Sequence, residues 1–247
     1  MAPLITLLTD FGTSDSYVAE VKAVLLSRAL GAALVDVTHQ IPPGDVRSAQ
    51  YVLARVWHRF PEGTVHLVVV DPGVGTSRRA LAAEAAGHYF VAPDNGVLSP
   101  LPADARFFEL PVPPGAAPSF HGRDLFAPAA AELATGTALA HLGSPITDPY
   151  RVPLPALHFD GTAVRGEVIY VDRFGTLISN IPGERVEPGV RIKVAGTEVG
   201  VLRRTFGDVE RGQLVAFVGS GGAVEIAVRD GSAARLLGVG VGAEVRA

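Results

Sequence analysis

Val65-His66-Leu67-Val68-Val69-Val70, followed at once by Asp71-Pro72-Gly73-Val74-Gly75, is the stretch whose reading decides the fold. A continuous, largely β-branched run belongs to a strand covered on both faces. The Asp-Pro-Gly that ends it is a turn at the strand's carboxyl end. Upstream, Leu4–Thr9 is a second short apolar run, ending in Asp10-Phe11-Gly12-Thr13-Ser14-Asp15. Tyr17, Val18, Val21, Val24 and Leu25 then recur at spacings of three and four, which predicts a helix with Ser14 or Asp15 as N-cap. Ala33–Val37 reads as a further buried strand, Pro42–Gly44 as a turn, and residues 45–59 as a helix. His88–Ala92 and Arg106–Leu110 are strand-like, and residues 124–135 are helical with Asp124 as a candidate cap. Such alternation predicts an α/β domain over residues 1–145, a mixed or parallel sheet flanked by helices.

The pattern changes near residue 145. Pro145, Pro149, Pro153 and Pro155 fall within Ser144–Pro155, and residues 146–160 read as a Pro-rich linker. Beyond it, over residues 161–247, lie short β segments separated by Gly-containing turns: Gly166–Val171, Arg191–Val194, Glu198–Leu202, Leu214–Val218, Ala223–Val228 and one near Glu244. They predict a small all-β domain, a barrel or a sandwich.

Composition narrows the function. The 247 residues hold 48% hydrophobic and 19% charged residues, with 28 Gly and 19 Pro, as suits a globular fold rich in short turns. Net charge is −4, with Lys22 and Lys193 the two lysines, so neither a nucleic-acid stripe nor an anionic membrane surface is an expected partner. Zero Cys removes disulfides, thiolate nucleophiles and Cys-ligated metals. The seven His show no metal-ligand spacing, so no metal site is expected. No apolar run reaches bilayer length and Leu4–Leu8 has no basic leader, so the expectation is a soluble, cytoplasmic protein.

Ligands in open α/β sheets bind beyond the carboxyl ends of strands, which singles out Asp10 and Asp71. Either could instead cap its turn. In the loop after Asp71, Gly73 and Gly75 let backbone N–H groups converge on a ligand, and Arg78 lies seven residues on. No Gly-Lys-Ser/Thr follows, which excludes a P-loop. Phe120-His121-Gly122-Arg123-Asp124 follows the Pro/Gly-rich loop Pro111–Pro118, a setting typical of active-site residues. Further polar clusters are Pro93-Asp94-Asn95-Gly96, read as a β-turn, and Asp172-Arg173-Phe174-Gly175-Thr176.

The ordered set of Thr9-Asp10-Phe11-Gly12, Asp71-Pro72-Gly73-Val74-Gly75-Thr76-x-Arg78, Pro93-Asp94-Asn95-Gly96, Phe120-His121-Gly122-Arg123-Asp124, Asp172-x-Phe174-Gly175 and Gly219-Ser220-Gly221-Gly222-x-x-Glu225 resembles the S-adenosylmethionine (SAM) hydrolases, or SAM hydroxide adenosyltransferases, relatives of fluorinase and chlorinase. The resemblance runs over both domains. It implies hydrolysis of SAM to adenosine and L-methionine without a cofactor, by in-line attack of water or hydroxide on C5′. Asp71, Arg78 and His121 would bind and activate the water. Asp10 would hold the ribose hydroxyls, with Phe11, Asp94 and Asn95 also substrate-binding on that side. Asp172, Phe174, Thr176, Ser220 and Glu225 would complete the pocket from the barrel-like domain of a neighbour in a homotrimer. Many relatives carry Asn where this chain has Thr176, whose hydroxyl can still donate or accept. The halogenases carry Tyr in the aspartate's place; Asp71 therefore favours hydrolysis. A halide-dependent SAM halogenase and a non-catalytic SAM or adenosine binder are the alternatives.

Overall fold

The computed structural model describes residues 2–161 and 163–247. Two compact units divide the chain, Met1–Val152 and Pro153–Ala247.

The first unit contains β1 (Leu4–Thr9), α1 (Tyr17–Arg28), β2 (Ala33–Thr38), α2 (Val46–Val56), β3 (Val65–Val69), β4 (Ala80–Ala85), β5 (His88–Pro93), β6 (Arg106–Leu110), α3 (Ala127–Ala134), α4 (Leu139–Leu142) and β7 (Ser144–Ile146). Its seven-stranded sheet has the order β2-β1-β3-β5-β4-β6-β7. β2, β1, β3 and β5 are parallel, while β4 runs antiparallel between β5 and β6, so the sheet is mixed. Every residue of β3 is buried, as its unbroken apolar run predicts. Alternate side chains face two cores. Ile5, Leu7 and Leu67 pack with Val21 and Leu25 of α1 and Ala130 of α3; Leu8 and Val68 pack with Ala49 and Leu53 of α2 on the opposite face.

Three local expectations are corrected. β2 is not a buried strand: it is the sheet edge, paired with β1 alone, and its outer side chains Val35 and Asp36 are exposed. The residue flanking α1 is Ser16, not Ser14 or Asp15, and its hydroxyl donates to Glu20 (2.7 Å) rather than capping the helix. Asp124 does not cap its helix either. A π turn over Gly122–Phe126 precedes α3, and Asp124 lies within it, accepting the Ala117 N–H (2.9 Å). Single π turns of this kind cluster at functional sites.

The second unit contains β8 (His158–Asp160), β9 (Ala163–Val171), β10 (Leu177–Pro182), β11 (Arg191–Val194), β12 (Thr197–Arg203), β13 (Leu214–Val218), β14 (Ala223–Val228), α5 (Ala233–Leu237) and β15 (Glu244–Arg246). The order β10-β14-β13-β12-β11-β15-β9 closes through the β9–β10 pairing into a barrel, with β8 added outside on β9. Val168, Leu177, Ile192, Val224, Ile226 and Val245 fill its interior. Of the two predicted architectures, barrel or sandwich, this is the barrel; closure removes the exposed edges a small sheet would carry.

Candidate active site

β1 and β3 are parallel neighbours with Thr9 opposite Val69, so their carboxyl-end loops leave the sheet side by side. Asp10 and Asp71 therefore emerge next to each other. Asp10 is half-buried, and its Oδ2 accepts the Gly44 N–H (2.8 Å). Burial raises its pKa, the backbone N–H groups of Gly44 and of Asp10 itself pull it down, and the nearby Asp71 charge adds to the rise.

After Asp71 the chain folds back sharply. Thr76 N–H and Oγ1–H both donate to the Gly73 carbonyl (3.1 and 2.7 Å). Gly75 has φ +78°, and a side chain there would press within 3.0 Å of the Pro118 carbonyl, so both conformation and space require glycine. This return brings Arg78 back onto Asp71. Arg78 Nε lies 2.9 and 3.0 Å from the two Asp71 carboxylate oxygens, and a terminal nitrogen of the same guanidinium also reaches Oδ2. That terminal nitrogen donates to His121 Nδ1 as well (3.0 Å). The guanidinium carbon lies 5.1 Å from the centroid of the Phe126 ring, a cation–π contact from below. The Arg78 and Asp71 side chains are 9% and 6% exposed, so the pair is nearly dry.

His121 immediately precedes the π turn and is itself buried. A guanidinium carries donors alone, so Nδ1 must be the acceptor and the neutral ring holds its proton on Nε2. Burial first, then the Arg78 charge, lowers the His121 pKa, against smaller opposing pulls from Asp71 and Asp124. Asp71 and His121 are thus joined through the arginine. A side chain at Gly122 would come within 3.0 Å of Phe11 Cζ; glycine lets that ring close over the backbone next to His121. Phe11, Tyr17 and Phe120 form an aromatic wall, with centroids 6.0, 6.0 and 5.3 Å apart.

Asp94 and Asn95 hold the frame of this site. Asn95 Nδ2 donates to the carbonyl of Val70 (2.8 Å), the residue before Asp71. Asp94 binds Arg79 Nε (2.7 Å) through one oxygen and accepts the Tyr150 N–H (2.7 Å) with the other. Asp94 to Gly96 form a bend, with the following turn closed by Ser99 N–H on the Gly96 carbonyl (2.9 Å). Elsewhere in this unit, buried His66 bonds Thr6 Oγ1 (2.8 Å) and His88 (3.2 Å), and burial followed by the His88 charge pushes its pKa down to about 3.

In the second unit Asp172 Oδ1 accepts the N–H groups of Phe174 and Thr176, both at 2.9 Å. Thr176 is buried and Phe174 is 76% exposed. Ser220 lies in the Gly219–Gly222 turn between β13 and β14, and Glu225 lies on β14 opposite Phe217 and Ile178. Because β10 and β14 are antiparallel, the Asp172–Thr176 turn and the Gly219–Gly222 turn sit at opposite ends of that pair. The structure thus brings Asp71, Arg78, His121, Asp10 and Phe11 together, and leaves Asp172, Phe174 and Thr176 in one turn, Ser220 in another and Glu225 on β14.

Gly44 and Phe126 join the site without any motif to announce them. Phe126 could have been suspected from its place five residues after His121, at the end of the same turn. Among the described residues no cluster of three or more His, Asp or Glu is placed to hold a metal ion, and no helix is long and apolar enough to cross a membrane.

Comparison with known proteins matches the SAM hydroxide adenosyltransferase N-terminal domain over residues 5–143 and the corresponding C-terminal domain over residues 166–246. The (R)-S-adenosyl-L-methionine hydrolase of Thermus thermophilus is 46% identical over 254 residues, covering 97% of each chain. A fluorinase from Actinoplanes sp. is more distant, at 28% over 214 residues and 72% of each chain. Among solved structures, an uncharacterized conserved protein from Thermotoga maritima superposes with TM-score 0.90 at 36% identity, covering 98% of both chains.

Proposed function

The chain belongs to the SAM hydroxide adenosyltransferase family, and we propose that it hydrolyses S-adenosyl-L-methionine to adenosine and L-methionine by attack of water or hydroxide on C5′. One observation carries the site assignment: Asp71, Arg78 and His121, from stretches 43 residues apart, join in a single nearly dry cluster at the carboxyl end of β3.

A sulfonium leaves as a neutral thioether, so departure of methionine needs no acid. The oxygen–C5′ bond forms as the C5′–S bond breaks, sulfur keeps the electron pair, and the water's second proton is released. The demand falls on the nucleophile. Arg78 supplies a permanent positive charge in a low-dielectric setting, where it stabilises developing hydroxide strongly. Asp71 and His121 fix the guanidinium from two sides, which holds that charge in place before the reaction starts. His121 is committed at Nδ1 to Arg78, and Asp71 is ion-paired with it. The arrangement therefore favours stabilising hydroxide over proton abstraction by a strong base. Asp10, beside Asp71, takes the ribose hydroxyls, and Phe11 flanks the substrate.

Asp172, Phe174, Thr176, Ser220 and Glu225 supply the barrel side of the pocket, contributed by a neighbouring subunit of a cytoplasmic homotrimer. Asp94 and Asn95 act on the substrate indirectly, through the loop they hold.

Purified protein incubated with SAM releases adenosine, followed by chromatography. The name of the Thermus relative specifies the (R) sulfonium epimer, so each epimer is assayed separately. Absence of adenosine from both epimers across a broad pH range contradicts the reading. A 5′-halo-5′-deoxyadenosine formed with chloride or fluoride assigns the halide reaction instead. Sedimentation giving a monomer at micromolar concentration contradicts the trimer.

A further inference from the structure

His39 lies outside the cluster just described, yet it binds both ends of the turn that carries Asp10. Its carbonyl accepts the Gly12 N–H (2.7 Å), and its Nδ1 lies 2.8 Å from Thr9 Oγ1. Thr9 Oγ1 in turn receives the Phe11 N–H (3.3 Å). On its far side, His39 Nε2 lies 3.1 Å from Asp36 Oδ1, in ion-pair range though off the line of a straight hydrogen bond. Lys22 Nζ holds the other Asp36 oxygen at 2.6 Å. Thr9 and His39 are buried, whereas Asp36 and Lys22 reach solvent.

Chemistry gives this chain a direction. A lone pair on Nε2 would repel the facing carboxylate, so Nε2 carries the ring proton and Nδ1 accepts. Thr9 Oγ1 then donates its proton to Nδ1 and keeps a lone pair for the Phe11 N–H. The hydrogen bonds run from Phe11 through Thr9 to His39, whose Nε2 faces the Asp36 carboxylate in an ion-pair contact. The β1–β2 register shifts between Leu7 and Leu8, next to this network, an irregularity of the kind that re-aims side chains beside active sites. The loop of residues 39–44 also reaches Asp10 through Gly44 N–H and Thr13 through Gln40 Nε2 (3.3 Å), so the two loops are laced at four points.

We infer that His39, oriented by Asp36, is a positioning residue that sets the Asp10 carboxylate for the two ribose hydroxyls and so sets the enzyme's preference for ribonucleosides over 2′-deoxynucleosides. This rests on the assignment of Asp10 to the ribose made above.

The test is calorimetric binding of adenosine and of 2′-deoxyadenosine to the full chain, with SAM kinetics alongside. The wild type prefers adenosine by about tenfold or more, the worth of a hydrogen bond to a charged group. His39→Ala lowers that preference to within about twofold, and raises KM for SAM more than it lowers kcat. Loss of general stability would weaken both nucleosides alike and leave their ratio unmoved. Asp36→Asn, at the surface and harmless to the core, lowers the ratio by about threefold and decides the matter should His39→Ala fail to fold. A ratio unchanged in the foldable variants overturns the role of His39 while leaving Asp10 in place. A wild type without preference, matched by Asp10→Asn, overturns the ribose assignment and this inference with it.

Discussion

The α/β unit and the barrel use the same residue types in opposite ways. In the first, Asp71 meets a guanidinium that also grips a buried imidazole from another stretch of chain, and the Arg78 and Asp71 side chains are only 9% and 6% exposed. In the second, Asp172 meets the amides two and four residues further along its own turn, and neighbouring Phe174 points into solvent. A carboxylate paired with a cation that itself reaches across the fold is there to hold charge. One whose partners are its sequence neighbours is there to hold shape. The difference supports placing the proposed reacting centre in the α/β unit, where the charged cluster lies.

Arg78→Met makes the largest break. Removing one preorganised stabiliser of developing charge lowers kcat/KM by about 10²–10³-fold, measured by adenosine release; a loss below tenfold contradicts the assignment. Asp71→Ala strands the Arg78 cation in a nearly dry site, and losing one partner of such a pair costs about 3–5 kcal/mol in denaturant unfolding. Asp172→Ala, its counterpart, leaves two turn amides without their acceptor and costs about 1–3 kcal/mol. Equal losses for the two aspartates erase the contrast.

Titration sharpens the contrast further. His121 has its pKa lowered by burial and Arg78, so it stays neutral until the pH falls below the ordinary histidine range. There it gains a proton, Nδ1 stops accepting from Arg78, and two cations face each other. The acid limb of kcat/KM therefore lies below the ordinary histidine value and is absent in His121→Gln. Phe174→Ala has the smallest effect: unfolding shifts by less than about 0.5 kcal/mol, while KM for SAM rises. An unchanged KM removes Phe174 from substrate binding.

Much of this was legible in the chain. β3 announces itself through an unbroken apolar run, and the strand-end rule points to Asp10 and Asp71 from the sequence alone. Other features were not. β4 is Ala-Leu-Ala-Ala-Glu-Ala, a helix-forming composition that becomes a strand because it is held between β5 and β6; tertiary pairing outweighs propensity. β10 hides behind Ser179, Asn180 and Pro182, polar or turn-forming residues that interrupt its apolar pattern. The π turn at Gly122–Phe126 has no sequence period to reveal it. The motifs single out Asp71, Arg78 and His121 but not their order in space. That the arginine stands between the other two depends on how the loop after Asp71 folds back, and this is set by contacts such as Gly75 against Pro118.

The most direct measurement is SAM turnover in ¹⁸O-labelled water, with mass analysis of the adenosine after a single turnover. Attack by solvent held beside Arg78 places the label on the 5′-oxygen in the wild type, and Arg78→Met forms that product at least about 10²-fold more slowly. Unlabelled adenosine, or labelled adenosine formed at the same rate by both proteins, contradicts the account.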